Sequence, residues 1–323
     1  MKKPCPSLTI IGDLCVDITM GTIAGWPEIG TETIMDEHEL RPGGSAANSA
    51  LAMAYIGSDC SLVSLFGGDH FGRWLAGCFE NSNNHLASCN AATTMSVCLT
   101  HTCSERTIFT TRGHLEEMTL DHALLPLLAA KNPGDTVLLT GVYLLPKLRQ
   151  DYRTLLTEIH EAGYQIAIDT GWPTGGWCAE TRAEALAWLP YCNHLLVNES
   201  EALGLAGTKD LAAAAKMIRG HMPEVSRLVI KRGGRGAAGV DEKGMVQVST
   251  EPVQVRDSIG AGDTFNAGYL DACLRGANLG SAIEAGCILA STVISRSPRG
   301  GIEVGELSKL AFSGSEQTQA EKK

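Results

Sequence analysis

No run of about 18 uncharged apolar residues occurs in the sequence, so no membrane-spanning helix is expected. The amino terminus, MKKPCPSLTIIGDLCVDI, has two lysines but no long apolar stretch before a cleavage site, because Asp13 and Asp17 interrupt it. It reads as the start of a cytoplasmic chain rather than a signal peptide. Cationic charge is scarce: 26 Lys and Arg stand against 36 Asp and Glu, for a formal net charge of −10. Nucleic acid and anionic membranes reward clustered Lys and Arg, so neither is expected as a partner. A local cradle of backbone amides still permits an anionic small molecule. The eleven cysteines contain no CxxC and no metal-finger spacing. Their odd number and even spread fit reduced thiols used as small apolar residues. Two nucleotide signatures are missing as well. GDLCVD follows the first apolar run where a dehydrogenase would carry GxGxxG, and no glycine loop ends in GK[ST].

What is present is apolar and periodic. Hydrophobic residues make up 44% of the 323, enough for a sizeable core. Short runs at 8–12, 60–67, 136–141, 164–171, 194–199 and 227–234 read as buried strands, with helical patterns between them. That alternation predicts an α/β fold: a central, mostly parallel sheet with helices on both faces, and ligands at the carboxyl ends of the strands. Two Thr-rich segments, 31–40 and 93–112, have period-2 texture and fall outside the alternation. They predict a small β lid drawn from about residues 14–40 and 92–113, which would exclude water from a reaction. Edge strands without a lid role are the other reading. No repeat or low-complexity linker divides the chain, so residues 1–312 read as one domain and 313–323 as a polar, fraying tail.

Four stretches carry chemistry. In DSIGAGDTFNAG (257–268), three small residues, Gly260, Ala261 and Gly262, precede Asp263 and an amphipathic run. A tight turn would explain them. So would a helix start whose free N–H groups cradle an anion, with Asp263 placed to take a proton beside it. In RPGGSAAN (41–48), Gly43 and Gly44 let a ligand press against backbone, and Asn48 offers a donor and an acceptor to hydroxyls. Asp17 offers a further acceptor to a polyol. In NESE (198–201), Asn198 and Glu201 have the spacing of a capping box, and their oxygens equally suit Mg²⁺. In KRGGRG (231–236), Lys231 and the glycines read either as a hairpin or as a nucleotide loop.

These stretches, with LFGGDHFG at 65–72, resemble in order and spacing the ribokinase-like PfkB carbohydrate kinases, from about residue 8 to 310. The resemblance implies a Rossmann-like ribokinase fold and ATP-dependent phosphorylation of a sugar, polyol or nucleoside. By that resemblance Asp263 is the catalytic base, and Gly260, Ala261 and Gly262 form the anion hole. Asp17, Gly43, Gly44 and Asn48 bind the acceptor; Lys231, Gly233 and Gly236 lie on the nucleotide side. Asn198 and Glu201 organise Mg²⁺, overriding the capping preference, and Asp257 with the backbone of 295–301 marks a K⁺ site. VISRSPRGG (293–301) departs from the usual small-residue pattern there, and DTGWPTGGW (169–177) keeps only the Asp of D-x-N-x-R. Arg41 reads as a turn flank and Arg106 as a strand residue, which favours a neutral acceptor. Exposed lid edges point to a homodimer. A nucleotide- or sugar-sensing protein that kept the fold is the alternative, and the intact GAGD stretch argues against it.

Overall fold

Short runs of Leu, Ile and Val with little charge form the central strands, and they are buried on both faces, as a parallel sheet requires. The computed structural model describes residues 7–80, 83–102, 106–130, 134–296, 298–299 and 302–312. In chain order its strands are β1 (Leu8–Ile11), β2 (Cys15–Ile23), β3 (His38–Gly43), β4 (Ser61–Gly67), β5 (His85–Cys89), β6 (Met95–His101) and β7 (Arg106–Thr110). They continue with β8 (Thr136–Leu139), β9 (Gln165–Ile168), β10 (His194–Asn198), β11 (Arg227–Lys231), β12 (Ala237–Asp241) and β13 (Gly244–Val248). Among the described residues, nine strands form one sheet in the order β13-β12-β11-β10-β9-β8-β1-β4-β5. Pairing is parallel from β5 through β11 and antiparallel for β12 and β13.

The helices are α1 (Ser45–Tyr55), α2 (His70–Cys78), α3 (Leu120–Ala130), α4 (Pro146–Gln150), α5 (Tyr152–Glu161), α6 (Ala179–Trp188), α7 (Glu199–Ala206), α8 (Leu211–Arg219), α9 (Ala261–Leu274) and α10 (Leu279–Ile294). Leu127, Leu155, Trp188, Leu205 and Ile218 bring α3 and α5–α8 into one apolar layer. Met53, Leu75, Tyr269 and Ile283 bring α1, α2, α9 and α10 into the other. The sheet is therefore covered on both sides. The α9–α10 crossing is close because of glycine: a Cβ on Gly286 would stand 2.9 Å from the Phe265 ring and backbone.

A second sheet, β3-β2-β6-β7, stands apart as the lid. Its strands confirm β texture at 93–112, but the first segment is displaced from expectation. Residues 31–37 carry no strand; β3 starts at His38 and pairs with β2 from Cys15↔Gly43 to Met20↔His38. The period-2 texture of TETIMDE is not realised as a strand, and Ile34 is exposed. The described cysteines are free thiols. Cys15, Cys98, Cys192 and Cys287 are buried, Cys15 with its thiol on Asp17, whereas Cys78 and Cys178 are exposed, against the general reading. Cys5, Cys103 and the 313–323 tail lie outside the described residues.

Candidate active site

Asp13 follows β1, Asp169 follows β9, Asn198 ends β10 and Lys231 ends β11, so the carboxyl edge of the sheet gathers three charged groups and one amide from four strands. Helix α9 starts at that edge. Its N-cap, Gly260, has φ +70°, a left-handed conformation that favours glycine, and no side chain caps the helix. Ala261 N–H turns back to the Ser258 carbonyl at 3.3 Å, so the N–H groups of Gly262 and Asp263 and the positive end of the helix dipole are left for an anion. Glycine is required at 260 for a second reason: an added Cβ would lie 2.8 Å from Asn48 Nδ2.

That amide belongs to the first turn of α1, and it donates to Asp263 Oδ2 at 3.0 Å. Ser49 Oγ donates to the Asp263 carbonyl at 3.2 Å, fixing the two helix starts together. Burial, and then the negative charge of Asp169, push the Asp263 carboxyl up to about 7, against the pull of Asn48 and Lys231. A carboxylate poised there is matched to proton abstraction near neutral pH.

Lys231 does not extend along the glycine turn that follows it. Its Nζ donates to Asp169 Oδ2 at 2.7 Å and to Asn266 Oδ1 at 3.1 Å, and Asn266 Nδ2 donates to the same Asp169 oxygen at 2.6 Å. The amine lies 3.3 Å from where a Cβ on Gly262 would be, against the first turn of α9. Burial alone would pull the ammonium pKa down, but Asp169 and Glu201 outweigh it and hold it above the ordinary range. Gly233 (φ +57°) and Gly236 (φ +80°) shape the turn between β11 and β12.

On the lid side, Asp17 of β2 is buried and receives the Cys15 thiol at 3.5 Å. Burial raises its carboxyl to about 6, with Arg41 opposing. Gly43 faces it so closely that a Cβ would fall 2.0 Å from the carboxyl carbon. Gly44 (φ +94°) lies against the Asp13 carbonyl, and the Asp13 carboxylate accepts the Ser45 and Ala46 amides at 3.0 and 3.2 Å, capping α1. Gly43 thus meets Asp17, Gly44 meets Asp13 and Asn48 meets Asp263, so the β3–α1 junction touches a carboxyl of the small sheet and two at the edge of the large one.

Asn198 and Glu201 form the capping box that their spacing suggests. Glu201 N–H donates to Asn198 Oδ1 at 2.9 Å, and Asn198 N–H donates to Glu201 Oε2 at 2.7 Å. Glu201 is nonetheless buried, and burial with the Asp169 charge pushes its carboxyl up to about 7. A cation nearby would relieve that crowding of carboxylates. Among the described residues no three His, Cys, Asp or Glu side chains converge as a metal cage. The donor set fits Mg²⁺ held chiefly through water and phosphate.

Asp257 is surrounded by arginines. Arg41 Nη1 contacts Asp257 Oδ2 at 2.5 Å and Glu39 at 3.2 Å, and Arg299 Nε approaches Asp257 Oδ2 at 3.4 Å. Arg41 is thus no turn flank; it is buried and ties β3 to the loop before α9. Arg106 likewise reaches across, Nη1 donating to Ser258 Oγ at 2.8 Å.

Sequence reasoning left four residues of this cluster out of the site: Asp13, Asp169, Asn266 and Arg299. An acid just after an apolar strand marks the first two. Nothing local marks Asn266 or Arg299, whose partners are remote in sequence.

Solved structures share this architecture. Arabidopsis thaliana ribokinase complexed with ribose and ATP superposes with a TM-score of 0.77 at 20% identity, over 95% of this chain and 99% of that one. A putative ribokinase II from E. coli, in complex with ATP and Mg²⁺, gives 0.79 at 18% identity, over 94% and 98%. At these identities the likeness defines the class by fold: this is a ribokinase-fold protein. The family follows from sequence. The profile of the pfkB family carbohydrate kinases matches residues 13–300, and the chain belongs to that family; it is a phosphotransferase with an alcohol group as acceptor. It is 26% identical to the ribokinase of Bacillus subtilis (strain 168) over 320 residues, 93% of this chain and 99% of the relative. To the fructokinase of Salmonella typhimurium it is 25% identical over 240 residues, 71% and 76%.

Proposed function

We propose that the chain transfers the γ-phosphoryl group of ATP to a hydroxyl of a sugar or sugar-like polyol, with Asp263 as general base. The observation that carries this reading is the Asp263 carboxyl, held by Asn48 beside an uncapped helix start and pushed up to about 7. The acceptor hydroxyl attacks the γ-phosphorus and gives its proton to Asp263, and ADP leaves with the bond electrons. Charge on the transferring oxygens is met by the amides of Gly262 and Asp263, with the Lys231 ammonium behind them, while the Ala261 amide holds the turn on Ser258. Asp17 and Asn48 accept and donate hydrogen bonds to the acceptor's hydroxyls, and Gly43 and Gly44 let it sit against backbone. Gly233 and Gly236 give the nucleotide close approach. Asn198 and Glu201 are suited to orient the waters of Mg²⁺, which when bound neutralises phosphate charge. Arg41 is committed to Asp257 and Glu39, which leaves a neutral acceptor favoured.

Coupled ADP release, measured with Mg²⁺ against ribose, fructose, a deoxy-keto sugar acid, an inositol and nucleosides, tests the reading. Acceptor-dependent release with a sugar is expected. No release with any of them, together with tight sugar binding by calorimetry, would make the protein a sensor instead.

The lid exposes Leu40, Ile108 and Phe109. Apolar residues left on a small sheet with open edges favour pairing of two chains through their lids. Sedimentation equilibrium is expected to give twice the chain mass, and the mass of one chain would overturn this.

A further inference from the structure

The segment VISRSPRGG at 293–301, which departs from the family pattern, sends the Arg299 side chain into the loop before α9. Arg299 is 6% exposed. Its Nη1 donates to the carbonyl of Ile259 and its Nη2 to the carbonyl of Asp257. Its Nε faces the Asp257 carboxylate at 3.4 Å. The other carboxylate oxygen takes the Ile259 N–H at 2.9 Å, and Arg41 contacts the first at 2.5 Å. Two carbonyls and one carboxylate, converging one residue before Gly260, are the donor set a K⁺ ion would seek. Here a guanidinium already holds them, and Arg41 adds a second positive charge. The residues do not fit a resident monovalent cation, because an ion at these oxygens would lie against Arg299 and be repelled by both arginines.

We infer that Arg299 takes the place of a monovalent cation behind the anion hole, so that this kinase turns over without K⁺. A guanidinium carries the same unit charge, stays ionised and presents a planar fork of donors. Two N–H groups on Asp257 and Ile259 fix the loop that hands the chain to Gly260, and therefore the direction of the amides that follow. Unlike a dissolved ion, it is tethered and its occupancy does not vary with the medium. Arg299 is thus a positioning residue, acting on the phosphoryl group through the loop.

The kinetic half of the test rests on the kinase reading; the melting half does not. Protein stripped of K⁺ is compared in choline chloride, NaCl and KCl at one ionic strength. The wild type is expected to melt at the same temperature in all three and to turn over at rates within about twofold. Arg299→Ala is expected to lose about 10–100-fold in kcat in choline chloride, the scale of a misdirected catalytic loop. K⁺ or methylguanidinium should restore much of that rate and raise its melting temperature, and choline should not. A merely structural arginine would show no such cation-specific rescue. A K⁺-specific rise in wild-type melting temperature or a more than fivefold rise in kcat would overturn the inference. So would an Arg299→Ala protein that is indifferent to the substitution, or one that neither K⁺ nor methylguanidinium rescues. Should that variant not fold, the wild-type cation series decides alone. Should no acceptor be turned over, the kinase reading fails and the melting series still decides the site.

Discussion

Asp263→Asn is expected to lower kcat by about 10²–10⁴-fold, the usual contribution of general-base catalysis. The change keeps the side chain's shape and an oxygen for Asn48 Nδ2, now 3.0 Å from Oδ2, but removes the proton acceptor. Acceptor KM should change little, because Asp17, Gly43 and Gly44 are untouched. Stability should move the other way. The folded carboxyl is raised from 3.8 to about 7, chiefly by burial and the Asp169 charge, so the folded state binds its proton more tightly than the unfolded chain. The stabilisation tied to that proton is complete below about 4 and is lost as pH rises through 7. The neutral asparagine escapes the loss. Its melting temperature should therefore equal or exceed that of the wild type at pH 8, with a smaller advantage at pH 5. Wild-type kcat/KM should rise with pH through about 7 as the base ionises. A variant that keeps more than a tenth of the wild-type rate would remove Asp263 from the role of base.

Lys231→Met should destabilise the fold by about 3–5 kcal/mol, because it leaves a buried carboxylate without its counter-charge. The Lys231 and Asp169 side chains are only 12% and 8% exposed, and their contact is 2.7 Å. The ammonium also lowers the carboxyls of Glu201 and Asp263, so its loss drives both further up. The pH at which activity rises should shift upward accordingly. Urea denaturation at pH 7.5 measures the first effect and a pH–rate profile the second. The double variant with Asp169→Asn should recover most of the lost stability, since the uncompensated charge is then gone too. A single-variant loss below about 1 kcal/mol would mean that the pair is better solvated than its burial indicates.

Much of this arrangement was legible in the chain. Six apolar runs became β1, β4, β8, β9, β10 and β11, because a strand buried on both faces has no polar alternation to obscure it. The helix start at Gly260 was legible because small residues before a carboxylate have few other uses. Asn198 and Glu201 announced both a cap and a pair of oxygen donors for Mg²⁺, and the cap is the geometry observed. The lid was legible as β texture but not in its boundaries. Thr-rich alternation at 31–37 suggested a strand, whereas pairing with β2 begins only at His38.

The sequence alone determined what depends on three or four consecutive residues. That covers the strand runs, the left-handed glycine at the start of α9, the capping box, and the residue types offered at each strand end. Tertiary structure alone decided which of those ends meet. Asp263 and Asn48 are 215 residues apart, Asp169 and Asn266 are 97, and Arg41 and Asp257 are 216. Lys231 looked like part of a nucleotide loop until the fold turned it inward, and Arg299 looked like a blemish in a motif until its guanidinium met two carbonyls. The physical reason is common to all of them. Local backbone preference acts within a turn, whereas the charge, burial and hydrogen bonding that set a carboxyl near 7 or replace an ion exist only once distant strands share an edge.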